Sequence, residues 1–297
     1  MSDVLVERRP LRAPGQRVAD YLELSKSRIV FMVVITTASG FLFAAKAVDP
    51  LLLLHALIGT ALVAAGTNAL NQYVEREHDA KMHRTRTRPL PAGRITPRAA
   101  LLFSSAIAVI GTLYLGLLVN WLTALLGAFT LTSYIFVYTP LKRMSTICTI
   151  IGAVPGAVPP LMGWTAATNE LALGGWIAFA ILFLWQLPHF MAISWMYRED
   201  YARGGFVMLS VRDADGAAVA RQAVLYSLAL LAVSVLPWFF GLTGVAYLIG
   251  AVLCGAFLLA TSIRFFFDRG VRSARSLFMT SNLYLLTVML LLVVDAA

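Results

Sequence analysis

Long apolar stretches separated by short polar ones dominate the chain. Nine runs lie at about 29–45, 51–72, 99–119, 122–138, 147–167, 174–195, 222–241, 244–264 and 277–294. Each is long enough to cross a bilayer, which takes roughly 17–25 residues. A segment in lipid must satisfy its own backbone hydrogen bonds. The pattern therefore predicts an all-α integral membrane protein with nine transmembrane helices. The connections alternate in kind. Those at 46–50, 120–121, 168–173 and 242–243 are short, whereas those at 73–98, 139–146, 196–221 and 265–276 are longer and polar. The two longest follow the second and sixth helices, and each runs from acidic to basic residues, a faint internal repeat.

Composition agrees: 59% of residues are hydrophobic, 13% are charged and the mean hydropathy is +0.78. An ordinary soluble domain carries about 25% charged residues. The net charge of +9 would suit a nucleic-acid partner, but its distribution argues for none. Of the 24 Lys and Arg, 23 fall in the N-terminal segment or the long loops, and only Lys46 falls in a short one. By the positive-inside rule the N-terminus is cytoplasmic and the C-terminus outside. Residues 1–20 read as a polar cytoplasmic segment without the apolar core of a signal peptide, ahead of one intramembrane domain over 21–297. Cys148 and Cys254 lie within spans and read as small hydrophobes. Compact length and the lack of a transit-peptide pattern favour a bacterial inner membrane.

The chemistry concentrates in residues 71–91, NQYVEREHDAKMHRTRTRPLP. Asn71, Glu75 and Asp79 recur every four residues, so on a helix they share one face. Two carboxylates and an amide suit Mg²⁺, which takes a few protein oxygens and leaves places for phosphate and water. Arg84, Arg86 and Arg88 follow, and Lys142 and Arg143 stand at another cytoplasmic helix end. Such cations neutralise a diphosphate and stabilise it as a leaving group. Arg94 and Arg98 read as topology determinants only. Asp200 completes a metal site if its loop shares a face with the first motif, and Glu199 is the weaker candidate.

His189, beside Pro188 in WQLPHF, has three readings: a contact to a porphyrin iron, a contact to a porphyrin propionate, or a hydrogen bond inside the bundle. The Pro/Gly cluster at 152–163, GAVPGAVPPLMG, marks a kink or a close approach. Tyr134, Phe136, Trp164, Trp185 and Phe190 are candidate walls for an apolar cavity. The spans carry almost no charge, which argues against a transporter for an anionic metabolite.

Asn71-xxx-Glu75-xxx-Asp79, then Arg84-Thr85-xx-Arg88-Pro89-Leu90 with Gly93 following, resembles the NxxxDxxxD and RTxxRPLxxG motifs of the UbiA intramembrane prenyltransferase superfamily. Residues 138–164 and 183–211 are similar to the branch of that superfamily whose acceptor is haem. Lys26-Ser27-Arg28 stands where Lys-Pro-Arg is usual, and only Glu199 and Asp200 remain of a second acidic motif; retention of that motif would instead have favoured a quinone-type acceptor. The resemblance implies nine helices around a central cavity, with a polar cap on the cytoplasmic side. It implies transfer of the farnesyl group of farnesyl diphosphate to the 2-vinyl group of haem B, with addition of water, giving haem O and diphosphate. It further implies Mg²⁺ at Glu75, Asp79 and Asp200, Asn71 in the catalytic set, diphosphate on Arg84, Arg88, Lys142 and Arg143, and haem at His189. The product would pass to a haem A synthase or a terminal oxidase.

Overall fold

The structure, a computed structural model, describes residues 14–297. The first thirteen residues of the expected polar N-terminal segment lie outside them. Among the described residues, nine helices are long and apolar enough to span a membrane. In order they are Ser27–Ala44, Pro50–Asp79, Pro97–Leu118, Trp121–Leu141, Cys148–Thr168, Leu173–Met196, Ala217–Phe239, Val245–Asp268 and Val271–Val294. A short helix, Pro14–Leu24, precedes them, where the sequence had suggested only a polar segment. Another, Arg198–Arg203, follows the sixth span.

The second span departs most from its expected length. Asp49 caps it by accepting hydrogen bonds from the N–H groups of Leu51 and Leu52, at 2.9 and 3.1 Å. Pro50 opens it with a preset φ. It then runs for 30 residues, about 45 Å at 1.5 Å per residue, against a hydrocarbon core of about 30 Å. The excess carries the stripe begun by Asn71 on to Glu75 and Asp79, beyond the apolar run, as continuous helix. The shared face of the three residues follows from this one helix.

The bundle is apolar outside and partly polar inside. Leu117, Val294 and Phe267 are 72–79% exposed, as lipid-facing residues are, whereas Thr37, Ser104, Ser227, Ser262 and Ser281 are buried. Inside, Ser227 meets Ser262 at 2.7 Å between the seventh and eighth spans, and Thr123 meets Thr165 at 2.8 Å between the fourth and fifth. Small residues let backbones approach where lipid offers no hydrophobic drive to associate. A Cβ on Gly163 would stand 1.9 Å from the carbonyl oxygen of Thr37, and one on Gly40 would stand 2.0 Å from that of Pro160. The first and fifth spans are therefore in backbone contact. The Pro/Gly cluster serves this close approach within an unbroken helix, Cys148–Thr168.

The same cluster has a second use. Gly152, Pro155, Gly156 and Pro159 fall on one helical face and line a central cavity of about 490 Å³. The first, second, fourth, sixth and ninth spans supply the other walls.

Gly163→Leu should force the first and fifth spans apart, costing about 1–3 kcal/mol or more. Thermal unfolding in detergent should show a clear drop in midpoint, while lipid-facing Phe267→Ala should change it little. Equal midpoints for Gly163→Leu and the parent would contradict the packing described.

Candidate active site

Asn71, Glu75 and Asp79 are 1%, 7% and 1% exposed, so none is a solvated helix-end residue. Each meets a partner from a different element. The Asn71 amide accepts from Lys26 Nζ at 3.0 Å and donates to Thr139 Oγ1 at 3.2 Å. Glu75 Oε1 accepts from Lys142 Nζ at 2.7 Å. Asp79 Oδ2 accepts from Arg88 Nη1 at 2.7 Å. A π-helical turn, Ser133–Tyr138, lies near the end of the fourth span and inserts one extra residue. Thr139 Oγ1 donates to the Tyr134 carbonyl five residues back, at 2.8 Å. This turn brings Thr139 to Asn71 and Lys142 to Glu75.

Three cations thus converge on two carboxylates. Burial, then the nearby Arg88 and Lys142, push Lys26 down to about 7. Burial acts to lower Lys142 as well, but the adjoining Glu75 carboxylate holds it well above the usual lysine value. Arg88 and Lys142 balance the two carboxylates, so the net positive charge that suits a polyanion comes with Arg84 and Arg143. Arg84 lies over the rings of Tyr197 and Tyr201, at 5.2 and 5.9 Å. Arg143 Nη1 reaches His78 Nε2 at 3.4 Å, while His78 Nδ1 donates to the Gly204 carbonyl at 2.7 Å.

The structure places Asp200 apart from the other carboxylates. Its Oδ1 accepts from the His83 N–H and its Oδ2 from the Arg84 N–H, both at 3.0 Å, and Arg203 is paired with Oδ1. Burial acts to raise its pKa, but Arg203 and these two N–H groups hold it below the usual carboxylate value. Among the described residues, no three His, Cys, Asp or Glu side chains group closely enough to hold a metal. Glu199 is exposed. Asp200 therefore anchors the loop that carries Arg84, and Thr85 Oγ1 secures the same loop by donating to the Asp79 carbonyl at 2.8 Å. Arg94 also exceeds its expected topological role. It pairs with Asp20 and Glu23 and so latches the N-terminal helix onto this loop.

The donor set fits Mg²⁺. Glu75 and Asp79 are hard oxygen ligands one helical turn apart, each with one carboxylate oxygen bound to a cation. One or two carboxylates together with substrate phosphates is the usual Mg²⁺ arrangement.

Beyond this polar end lies the apolar cavity. Tyr134, Trp185 and Phe190 line it as expected. Phe136 does not, being 75% exposed on the outer surface, and Trp164 packs edge-on against Phe43 instead. His189 is at the cavity wall, as are Asn68, Gln186 and Asn282, which the sequence reading passed over. Asn68 carried a usable signal, since it continues the helical stripe of Asn71, Glu75 and Asp79 inward.

The UbiA prenyltransferase family model matches residues 33–286. The chain belongs to the UbiA prenyltransferase family and is an enzyme of that family. A protein of Solibacter usitatus called protoheme IX farnesyltransferase is 47% identical over 286 residues, covering 93% of this chain and 98% of the relative. Among solved structures, that of digeranylgeranylglyceryl phosphate synthase aligns with a TM-score of 0.79 at 19% identity, over 94% of this chain and 98% of that one. A UbiA homologue from Archaeoglobus fulgidus bound to GPP and Mg²⁺ aligns with a TM-score of 0.63 at 14% identity, over 92% and 99%. At such identities the structural likeness speaks for the fold.

Asp200→Ala should release the loop over residues 80–93. Hydrogen bonds to a charged group contribute about 1.5–3 kcal/mol each, so loss of these two should raise local opening by roughly 10²–10⁴-fold. Trypsin cleavage after Lys81, Arg84 or Arg86 in the purified protein should accelerate accordingly, while Glu199→Ala leaves it unchanged. Equal cleavage rates for Asp200→Ala and the parent would refute the anchoring role.

Proposed function

We propose that the chain transfers the farnesyl group of farnesyl diphosphate to the 2-vinyl group of haem B, with addition of water, giving haem O and diphosphate. The observation that carries this reading is the adjacency of two regions at Tyr138, which lines the cavity and whose ring centre lies 4.5 Å from Lys142 Nζ. A buried carboxylate pair ringed by cations adjoins an apolar cavity with an imidazole at its wall. The name of the Solibacter relative supports the same donor and acceptor.

The roles follow from the contacts. Glu75 and Asp79 would hold Mg²⁺, and Asn71, locked between Lys26 and Thr139, braces their helix. Bound there, Mg²⁺ would neutralise the diphosphate and favour its departure. Arg88 and Lys142 already sit beside the carboxylates. They offset the remaining charge of the diphosphate, together with Arg84 and Arg143. The carbon–oxygen bond to the farnesyl group breaks heterolytically and the electron pair leaves with the diphosphate. The allylic cation is attacked by the terminal vinyl carbon. The new cation beside the porphyrin is captured by water, which then loses a proton. Apolar walls such as Met32, Val33, Met162 and Leu182 exclude the excess water that would quench the first cation. A cavity of about 490 Å³ is within the usual range for a small-molecule site, about 300–1,000 Å³.

We place the diphosphate end on the cytoplasmic face of a bacterial inner membrane, from the distribution of Lys and Arg. A haem A synthase or a terminal oxidase would consume the product.

The test is haem extraction from membranes of cells expressing the chain, followed by chromatography and mass spectrometry. A species equal to haem B plus a farnesyl group and a hydroxyl group is expected. In the same assay Asp79→Asn should lower product by roughly 10²–10³-fold or more while leaving the protein inserted. Haem B alone, despite verified expression and donor supply, would overturn the acceptor. Near-normal product from Asp79→Asn would overturn the metal site.

A further inference from the structure

We infer that Ser281 fixes His189 as a neutral imidazole protonated on Nδ1, which leaves the Nε2 lone pair to bind the iron of the porphyrin substrate. The inference rests on the haem reading above and chooses between the iron and propionate contacts open to His189.

The hydrogen-bond geometry sets the tautomer. Ser281 Oγ lies 2.7 Å from the Phe278 carbonyl oxygen and 2.8 Å from His189 Nδ1. A hydroxyl has one proton to give, and a carbonyl oxygen only accepts. Both contacts are satisfied only if Ser281 donates to Phe278 and accepts from the Nδ1–H of His189. Trp185, one turn before His189 on the sixth span, donates its indole N–H to the backbone carbonyl of the same Ser281, at 2.5 Å. One serine of the ninth span thus holds two side chains of the sixth.

The ring is fixed in orientation as well. Trp185 stacks on it at 4.7 Å with 29° between planes, and Phe278 lies at 4.9 Å with 34°. With Nδ1 engaged, Nε2 is the polar edge left, and it has no hydrogen-bond partner among the described residues while the ring lines the cavity. An imidazole held through one nitrogen and presenting the other is the arrangement by which proteins prepare a histidine for a metal.

No Asp or Glu among the described residues lines the cavity to hold a second proton on the ring, so Nε2 is a bare lone pair, which repels a carboxylate and does not suit a propionate. Among the described residues lining the cavity, Arg28 is the one permanently charged side chain, and it can take that part. The iron would therefore seat at His189, with the porphyrin in the cavity that His189 and Arg28 both line. Ser281 is a positioning residue that acts through His189.

The experiment titrates the detergent-purified protein with ferric haem B and, separately, with metal-free protoporphyrin IX, following absorbance and electron paramagnetic resonance. The parent should bind both and show nitrogen ligation of the ferric iron. His189→Ala should lose that ligand signature yet bind metal-free porphyrin within about twofold of the parent, which also reports an intact fold. Ser281→Ala should weaken ferric haem binding by roughly 10–100-fold with metal-free porphyrin again unaffected. An unchanged iron signature in His189→Ala would overturn the assignment, and unchanged haem affinity in Ser281→Ala would overturn the positioning role. Equal losses of haem and metal-free porphyrin in His189→Ala would mean a contact to the organic ring or its carboxylates, contradicting the inference while sparing the haem reading. Failure of the parent to bind either porphyrin would remove that reading, and the inference with it.

Discussion

Two carboxylates buried at one end of an apolar bundle impose the condition on which the site depends. Glu75 and Asp79 are almost wholly inaccessible, and an unpaired ion there would be costly. Deleting one partner of such a pair typically costs about 3–5 kcal/mol. Lys142 and Arg88 meet the need, and each has to be delivered from elsewhere in the chain. The π-helical turn near the end of the fourth span delivers Lys142. The loop after the second span delivers Arg88, held by Thr85 on Asp79 and by Asp200 on the N–H groups of His83 and Arg84. The overlong second span provides the helix on which both carboxylates stand.

This arrangement separates two environments that the proposed reaction needs together. The polar end concentrates cations and carboxylate oxygens, which the proposed metal-bound diphosphate would need. The cavity behind it is walled by aliphatic and aromatic side chains and by the Gly/Pro face of the fifth span. Neighbouring residues of the same segment, Pro160 and Gly163, make the backbone contact with the first span at Gly40 and Thr37. Helix packing and cavity shape are consequences of one short segment, so a substitution there acts on both.

The sequence made the spans legible because a bilayer demands long apolar runs, and all nine emerge with modest shifts at their ends. It also placed Asn71, Glu75 and Asp79 on one face, since four-residue spacing and a helix suffice for that. It did not reveal that Lys142 would pair with Glu75, because a π-helical turn leaves no periodic trace in residues 133–138. Asp200 was legible as an acidic residue near basic loops, but its engagement with backbone N–H groups depends on the tertiary course of residues 80–93. Ser281 and Asn282 in an otherwise apolar ninth span were a polar signal of the kind that marks function in membranes. Ser281's link to His189 needed the packing of two helices distant in sequence. Phe136 and Trp164 were assigned to the cavity by residue type alone, and the helix faces they occupy direct them elsewhere.

The central claim is that Glu75 and Asp79, relieved of part of their charge by Lys142 and Arg88, grip a diphosphate through a divalent metal. The most direct measurement is calorimetric titration of the purified protein with inorganic pyrophosphate, with and without Mg²⁺. The account predicts that Mg²⁺ tightens binding at least about tenfold, or roughly 1.4 kcal/mol, and that this gain disappears in Glu75→Gln/Asp79→Asn. Equal pyrophosphate affinity with and without Mg²⁺ in the parent protein, or a gain that survives in the double variant, would contradict it.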